Sequence, residues 1–190
     1  MAGQKHPFSP SEVKRIKRYL IAENKNRDYL LFAIGLDSCL RGSDILNLRV
    51  CDLIGSHGPK DEINIIQKKT GRTTTIRLQG ETKDYLLKFV EAERKKPESY
   101  LFTGRKWTGK PISQIQYSRL VKNWCNEIGL DPENYSTHSV RKSRPAYIYD
   151  QTKNIEVCKQ ILGHINCGAT SHYLGIDKNK ALDISSKYSL

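Results

Sequence analysis

The last third of the chain contains residue types that can bind a phosphodiester and attack it. His138 and Arg141 are followed by His164 and then by Tyr173, and a further arginine, Arg41, stands far upstream. A guanidinium is a planar fork that can hold two non-bridging phosphate oxygens at once. A phenol becomes a useful nucleophile when neighbouring cations favour its ionised form. These residues therefore predict a site in which a tyrosine attacks a phosphate held by arginines and histidines.

The spacing of the cationic residues leaves structural readings open. His138 and Arg141 are three residues apart on a predicted helix, so they share a face and can approach one phosphate together. The same spacing also suits an ordinary contact along a helix face. Arg41 lies between an apolar and an amphipathic segment, where an unpaired buried charge is costly. A salt bridge from Arg41 to Asp44 or Asp37 is therefore the structural alternative to a phosphate site.

Two lysines occupy the tip of a predicted hairpin. Lys68 and Lys69 precede Thr70-Gly71-Arg72, which is typical of a turn between two strands. Side chains alternate across a strand, so we expect the two lysines to point to opposite faces and only one to serve the site. Solvated surface lysines are the alternative.

A metal centre is the competing chemistry. His164, Cys167 and His172 lie close in sequence, and zinc accepts both ligand types. The set lacks a neighbouring fourth ligand or a second Cys-x-x-Cys half, so we predict neither a metal nor a cofactor. The five cysteines are odd in number and scattered, which favours reduced thiols in a cytosol-like compartment over a disulfide framework.

The charge balance predicts an acidic partner. The 190 residues include 32 Lys+Arg and 20 Asp+Glu, which gives a net charge of +12. Because the basic residues recur along the whole sequence, nucleic acid fits best among acidic partners, and a merely soluble basic surface is the alternative. No apolar run approaches the roughly 20 residues of a membrane span. The N-terminus lacks a following apolar stretch, so we do not expect a signal peptide.

The elements that must position these residues are mainly helical. Ser9 and Glu12 form a capping box that predicts a helix to about Glu23, and an apolar helix at 27–37 should form the centre of the core. Pro145 should kink or break the helix that carries Arg141. The remaining periodicities predict a short helix after Arg41-Gly42, strands at 62–67 and 73–78, and helices at 81–95, 112–128, 138–150, 155–162 and 169–174. The predicted fold class is α+β, a mainly helical domain with a small antiparallel β-sheet.

Taken in order, the candidate residues resemble the catalytic signature of the tyrosine recombinases, also called phage integrases. The resemblance runs from about Ser9 to the C-terminus. Its motifs are Arg41-x-x-Asp44-x-x-x-Leu48, Lys69-Thr70-Gly71, His138-x-x-Arg141, Leu162-Gly163-His164, Tyr173 nine residues later, and Ala181-Leu182-Asp183-Ile184 in the tail. The later motifs are similar to a plasmid- and phage-borne integrase subgroup, from which Pro145 departs.

The resemblance implies a role for each residue. Tyr173 is the nucleophile, with Tyr188 the next candidate, and Lys69 is the general acid for the leaving 5′ oxygen. Arg41, His138, Arg141 and His164 bind the phosphate, and Asp44 helps hold Arg41. Lys68, Arg72, Lys142 and Arg144 are expected to contact DNA.

The resemblance also implies partners and an organisation. We expect a specific double-stranded DNA site, other recombinase protomers in a tetramer on that DNA, and a cytoplasmic, nucleoid-associated location. The expected parts are an arm at 1–8, a catalytic domain at 9–174, and a tail at 175–190 that packs on a neighbouring subunit. Family members usually carry an N-terminal core-binding domain, and this chain is similar either to the short members without one or to a truncated form of a longer member. The alternatives are a catalytically decayed DNA-binding regulator or accessory factor and a type IB topoisomerase.

Overall fold

Helices dominate the computed structural model, which describes residues 5–104, 109–175 and 186. The helices are α1 (Pro10–Ala22), α2 (Asn26–Ser38), α3 (Gly42–Leu46), α4 (Val50–Leu53), α5 (Gly80–Ala92), α6 (Gln114–Glu127), α7 (Thr137–Thr152), α8 (Ile155–Leu162) and α9 (Cys167–Leu174). The strands are β1 (Ile54–Gly55), β2 (Gly58–Pro59), β3 (Ile63–Ile66) and β4 (Thr73–Ile76). The prediction of a mainly helical α+β fold is confirmed.

The first helix begins at the predicted capping box. The Oγ of Ser9 accepts a hydrogen bond from the backbone N–H of Glu12, and the Glu12 carboxylate accepts one from the N–H of Ser9. Two of the unpaired N–H groups at the helix start are thereby satisfied. The helix ends at Ala22, one residue before the predicted end.

The second helix is the centre of the core, as predicted. Every residue from Asp28 to Leu36 is buried, and α1, α5 and α7 pack around the helix. The ring of Phe32 meets Trp124 of α6 edge-on at 5.6 Å between centroids. The helix ends at Ser38 because Cys39 adopts a left-handed conformation, with φ of 52°. This turn places Arg41 at the start of α3.

The strands form two separate antiparallel hairpins within the described ranges. In the larger one, Ile63 pairs with Ile76 and Ile66 pairs with Thr73, so the predicted hairpin is confirmed with shorter strands. The smaller one joins β1 to β2 and was not predicted, because two-residue strands are too short to show a period.

Helix α7 runs without interruption through Pro145. Of the kink or break predicted at this proline, the break is therefore wrong. Proline removes only one backbone donor, the one that would bond the carbonyl four residues earlier. Pro145 is buried and α7 packs against α2 and α8, so tertiary contacts keep the helix continuous.

The described part of the predicted arm is packed on the domain. Phe8 is buried, stacks on Tyr135 with 4.6 Å between ring centroids, and donates its backbone N–H to Ser143 Oγ at 2.8 Å. Residues 1–4 of the predicted arm, and 176–185 and 187–190 of the predicted tail, lie outside the described residues. No helix in the described ranges combines the length and apolarity of a bilayer-spanning segment.

Candidate active site

Helix α7 supplies the His-x-x-Arg pair from its first turns. The Oγ of Ser136 caps the helix by accepting from the N–H of His138. One turn later, Arg141 is 4% exposed and donates from Nη2 to the carbonyl oxygen of Leu162 at 2.8 Å. Its Nε is buried and has no hydrogen-bond partner within the described residues. The end of α8 thus holds the guanidinium while leaving a donor for a ligand.

The other arginine reaches the same region from the start of α3. Arg41 is half-buried, and its Nη1 donates to the side-chain oxygen of Gln67 at 2.5 Å. The alternative of a salt bridge to Asp44 or Asp37 is wrong. Asp37 pairs instead with Arg144, at 3.7 Å from Nη1 to Oδ1.

Asp44 stabilises the hairpin and does not contact the arginine side chain. Its Oδ1 accepts from the backbone N–H of Lys68 at 3.0 Å, and its buried Oδ2 has no partner among the described residues. The backbone N–H of Asp44 donates to the carbonyl of Arg41 at 2.9 Å, and the implied role of Asp44 in holding the Arg41 side chain stays a prediction. The carboxylate ties α3 to the loop that carries Lys69.

The two hairpin lysines lie in the turn and not on a strand. Strand β3 ends at Ile66 and β4 begins at Thr73, so the alternation argument for choosing between the lysines was wrong. Both lysines are exposed. Lys69 is near enough to His138 to lower the pKa of that imidazole, whereas the backbone of Lys68 is bound to Asp44. Lys69 is therefore the lysine whose charge acts on the cluster.

Tyr173 reaches the cluster from α9. Its hydroxyl donates to the backbone carbonyl of His138 at 3.4 Å, and the Arg141 guanidinium carbon lies 5.8 Å from the centroid of its ring. The ring of His164 meets it edge-on, with 5.4 Å between centroids and an interplanar angle of 89°. The fold therefore brings Arg41, His138, Arg141, His164 and Tyr173 to one place, and the charge of Lys69 acts on His138.

Burial keeps the phenol protonated in the free protein. It raises the pKa of Tyr173 to about 12, although Arg141 and Arg41 act in the opposite direction. The surrounding arginines favour the phenolate, as predicted, but in this state desolvation outweighs them. A Tyr173 that attacked a phosphate would therefore have to lose its proton during the attack.

The two imidazoles are uncharged at neutral pH. Burial, with smaller effects of Arg141 and Arg41, lowers the pKa of His164 to about 4, and the same causes with Lys69 lower the pKa of His138. The positive charge of the site therefore comes from arginine and lysine, which corrects the expectation that the histidines contribute charge. An uncharged imidazole can still donate or accept a hydrogen bond, and His164 Nδ1 lies 3.1 Å from Thr170 Oγ1.

The expected DNA contacts divide into two pairs. Lys68 and Arg72 are exposed on the hairpin. Lys142 is buried, with its Nζ 3.3 Å from the carbonyl oxygen of Lys5 and 5.9 Å from the Tyr173 ring centroid. Arg144 Nη1 donates to the carbonyl of Asp37 at 2.8 Å. The last two therefore make contacts within the protein, and their expected contact with DNA stays a prediction.

The zinc alternative does not gain support from the packing. Cys167 contacts Glu156, and no three His, Cys, Asp or Glu side chains among the described residues are placed to hold a metal ion.

Gln67 is the site residue that sequence reasoning missed. It is 3% exposed and lies between Arg41, the lysine turn and Thr74 of β4. Its place directly before Lys68 was the available signal. A polar residue at a strand end is ordinarily solvated, so the sequence did not indicate burial.

The chain is similar in sequence to known proteins. A family model described as the phage integrase family matches residues 7–180. The probable integrase/recombinase YoeC of Bacillus subtilis (strain 168) is 34% identical over 171 residues, covering 90% of this chain and 89% of that protein. Tyrosine recombinase XerC of Caldanaerobacter subterraneus subsp. tengcongensis is 25% identical over 192 residues, covering 98% of this chain and 52% of that protein. The chain therefore spans most of the first relative and about half of the second.

Solved structures share the fold at lower identity. The crystal structure of XerA recombinase matches with a TM-score of 0.77 and 16% identity, over 97% of this chain and 65% of that one. XerH site-specific recombinase bound to its difH substrate, in a pre-cleavage complex, matches with a TM-score of 0.74 and 19% identity, over 96% of this chain and 54% of that one.

Proposed function

The chain belongs to the phage integrase family, and we propose on that premise that it breaks and rejoins DNA strands as a tyrosine site-specific recombinase. The observation that carries the proposal is the convergence of Tyr173 with Arg141 and His164 around one point. A phenol beside a buried guanidinium with an unused donor suits attack on a phosphodiester. The names of XerC and XerH, and the DNA in the XerH structure, support the same activity.

The proposed reaction begins with attack by the Tyr173 hydroxyl oxygen on phosphorus. The bond from phosphorus to the 5′ oxygen breaks, leaving a 3′-phosphotyrosyl link and a 5′ hydroxyl that takes its proton from Lys69. Because the pKa of Tyr173 is about 12, its proton leaves during the attack, and in the proposed reaction the uncharged imidazole of His138 or His164 accepts it. A 5′ hydroxyl from a partner duplex then attacks the link and releases the tyrosine. The covalent link conserves the bond energy, so the proposed reaction needs no cofactor.

The arginines act on the charge that develops at phosphorus. Arg41 has one side-chain bond, to a neutral amide, and Arg141 has its Nε unpaired among the described residues. Each guanidinium therefore retains donors for non-bridging oxygens, with the bidentate geometry that phosphate favours. Preorganised donors of this kind stabilise a transition state without reorganising during the reaction.

The proposed partners are double-stranded DNA at a specific site and further protomers in a tetramer on that DNA. A net charge of +12 and exposed Lys68 and Arg72 on the hairpin support DNA binding. We place the catalytic domain at 9–174, with the arm and tail on either side, and the protein in the cytoplasm with the nucleoid. The proposed packing of the tail on a neighbouring subunit falls on residues outside those described, as does Tyr188.

Trapping on a nicked suicide DNA substrate tests the proposal. The substrate is built from DNA flanking the gene, where the site is sought. We expect the parent protein to form a denaturant-resistant adduct and Tyr173→Phe to form none, with DNA affinity nearly unchanged because only one hydroxyl is lost. An adduct from the Phe variant would refute Tyr173 as the nucleophile and make Tyr188 the next residue to test.

The same samples distinguish the alternatives. DNA binding without an adduct in the parent would favour a regulator or accessory factor. Relaxation of supercoiled plasmid without recombination of two sites would favour a type IB topoisomerase.

A further inference from the structure

We infer that Gln67 is a positioning residue. Its uncharged side-chain amide fixes Arg41 relative to the turn that carries Lys69. The inference rests on the proposed recombinase activity and deepens it. Gln67 is 3% exposed and follows the last residue of β3. One buried side chain thus lies between two residues of the proposed reaction that are far apart in sequence.

Both ends of the Gln67 amide are used. The oxygen accepts from Arg41 Nη1 at 2.5 Å and from Thr70 Oγ1 at 3.0 Å, and the nitrogen donates to Thr74 Oγ1 at 2.5 Å. A buried amide with these partners has one orientation, because a flipped amide would present its nitrogen to the guanidinium. The side chain therefore fixes Arg41 and β4 relative to each other.

The backbone of Gln67 closes the turn that carries Lys69. Its N–H donates to the carbonyl of Arg72 at 2.8 Å, and its carbonyl accepts from the N–H groups of Thr70 at 3.2 Å and Gly71 at 2.8 Å. A shift of Gln67 would therefore move the turn together with Arg41.

The same amide also packs against the residue that precedes His164. A Cβ added to Gly163 would lie 2.9 Å from Gln67 Nε2 and 3.3 Å from Thr74 Oγ1, so the absence of a side chain at Gly163 permits the contact. Gln67 thereby relates the hairpin to the α8 end, where Arg141 is also bound.

The neutrality of the amide is the second part of the inference. Arg41 makes no ion pair within the described residues, so its charge remains available to a phosphate. A carboxylate at position 67 would accept the same hydrogen bond and would also pair with that charge. Glutamine supplies the acceptor without the competing anion.

Cleavage by two variants separates position from charge. Gln67→Leu removes the acceptor and Gln67→Glu keeps it but adds a charge. We expect each to lower the cleavage rate at saturating DNA by up to about 10²-fold, the scale of a displacement of about 1 Å in a catalytic group. Thr75→Val is the matched control, because Thr75 donates to Asn64 at 2.7 Å on the same hairpin without touching Arg41. We expect it to cleave like the parent.

The Glu variant keeps the hydrogen bond, so it shows whether the uncharged state of the amide matters for cleavage. A structural role predicts that Gln67→Glu cleaves normally, since it retains size and acceptor. Parental cleavage by either variant would overturn the inference, and Gln67→Glu decides the matter if Gln67→Leu does not fold. A parent that forms no adduct would instead refute the proposed function.

A chemical measurement tests the contact independently of activity. Phenylglyoxal modifies accessible arginines, and peptide mass spectrometry reports the rate at Arg41. We expect faster modification of Arg41 in Gln67→Leu than in the parent or Thr75→Val, because its partner is lost. Equal rates in the three proteins would overturn the inference even without a DNA substrate.

Discussion

Gly163→Ala should damage both stability and cleavage, because two different costs meet at this glycine. Gly163 has φ of 65°, a left-handed conformation that costs an ordinary residue about 1–2 kcal/mol. The added methyl would also lie 2.9 Å from Gln67 Nε2, closer than such atoms normally approach. The Gln67 amide, or the hairpin that carries it, must therefore shift away from the end of α8.

Gly129→Ala is a control that introduces the backbone strain of a positive φ without a steric clash. Gly129 follows α6 with φ of 72°, and a Cβ there would meet nothing within 4 Å. In urea unfolding we expect Gly129→Ala to lose about 1–2 kcal/mol and Gly163→Ala to lose more. On a nicked substrate Gly129→Ala should cleave normally, whereas Gly163→Ala should lose up to about 10²-fold. If the two variants were equally destabilised and Gly163→Ala cleaved like the parent, the proposed contact between the hairpin and the end of α8 would be refuted.

Three further outcomes are expected. The free energy of unfolding should fall as pH drops from about 6.5 towards 4, because His164 binds a proton in the unfolded chain and resists it in the folded protein. Urea titrations across that pH window measure this dependence, and His164→Gln should flatten it. Arg41→Lys and Arg141→Lys should each lower cleavage by about 10²–10³-fold, since an ammonium lacks the bidentate fork, and near-parental rates would show that the arginine does not hold the phosphate. Lys69→Ala should cleave ordinary DNA poorly but recover on a substrate with a bridging 5′ sulfur, a better leaving group. Lys68→Ala removes only a proposed DNA contact and should therefore affect both substrates alike. If Lys69→Ala were equally impaired on the two substrates, Lys69 would be assigned to phosphate binding. If Lys68→Ala cleaved ordinary DNA poorly and recovered on the sulfur substrate, Lys68 would be the general acid in place of Lys69.

Local signals predicted much of the fold. The capping box at Ser9 and the apolar run of α2 each depend on neighbouring residues, so their consequences were visible in sequence. Helix α8 occupies exactly the predicted 155–162, with Asn154 capping its start and Gly163 its end. Pro145 was misjudged because the packing around α7 involves residues far away in the chain.

The site was predictable in its members and less so in its chemistry. Residue types and spacing indicated the cluster, yet the raised pKa of Tyr173 and the lowered pKa of His164 come chiefly from burial. Burial depends on how α7, α8 and α9 pack, which a single sequence does not show. Gln67 was missed for the same reason, because a tertiary contact with Arg41 buries it.

The packing of the amino-terminal segment has a mechanical consequence. Phe8 is bonded to Ser143, and the carbonyl of Lys5 is bonded to Lys142, whose ammonium lies 5.9 Å from the Tyr173 ring centroid. A pulling force applied at Lys5 would therefore load α7 directly, through a side chain that lies beside Tyr173. A tether for single-molecule work that leaves the active site unloaded is better attached at exposed Lys88 on α5.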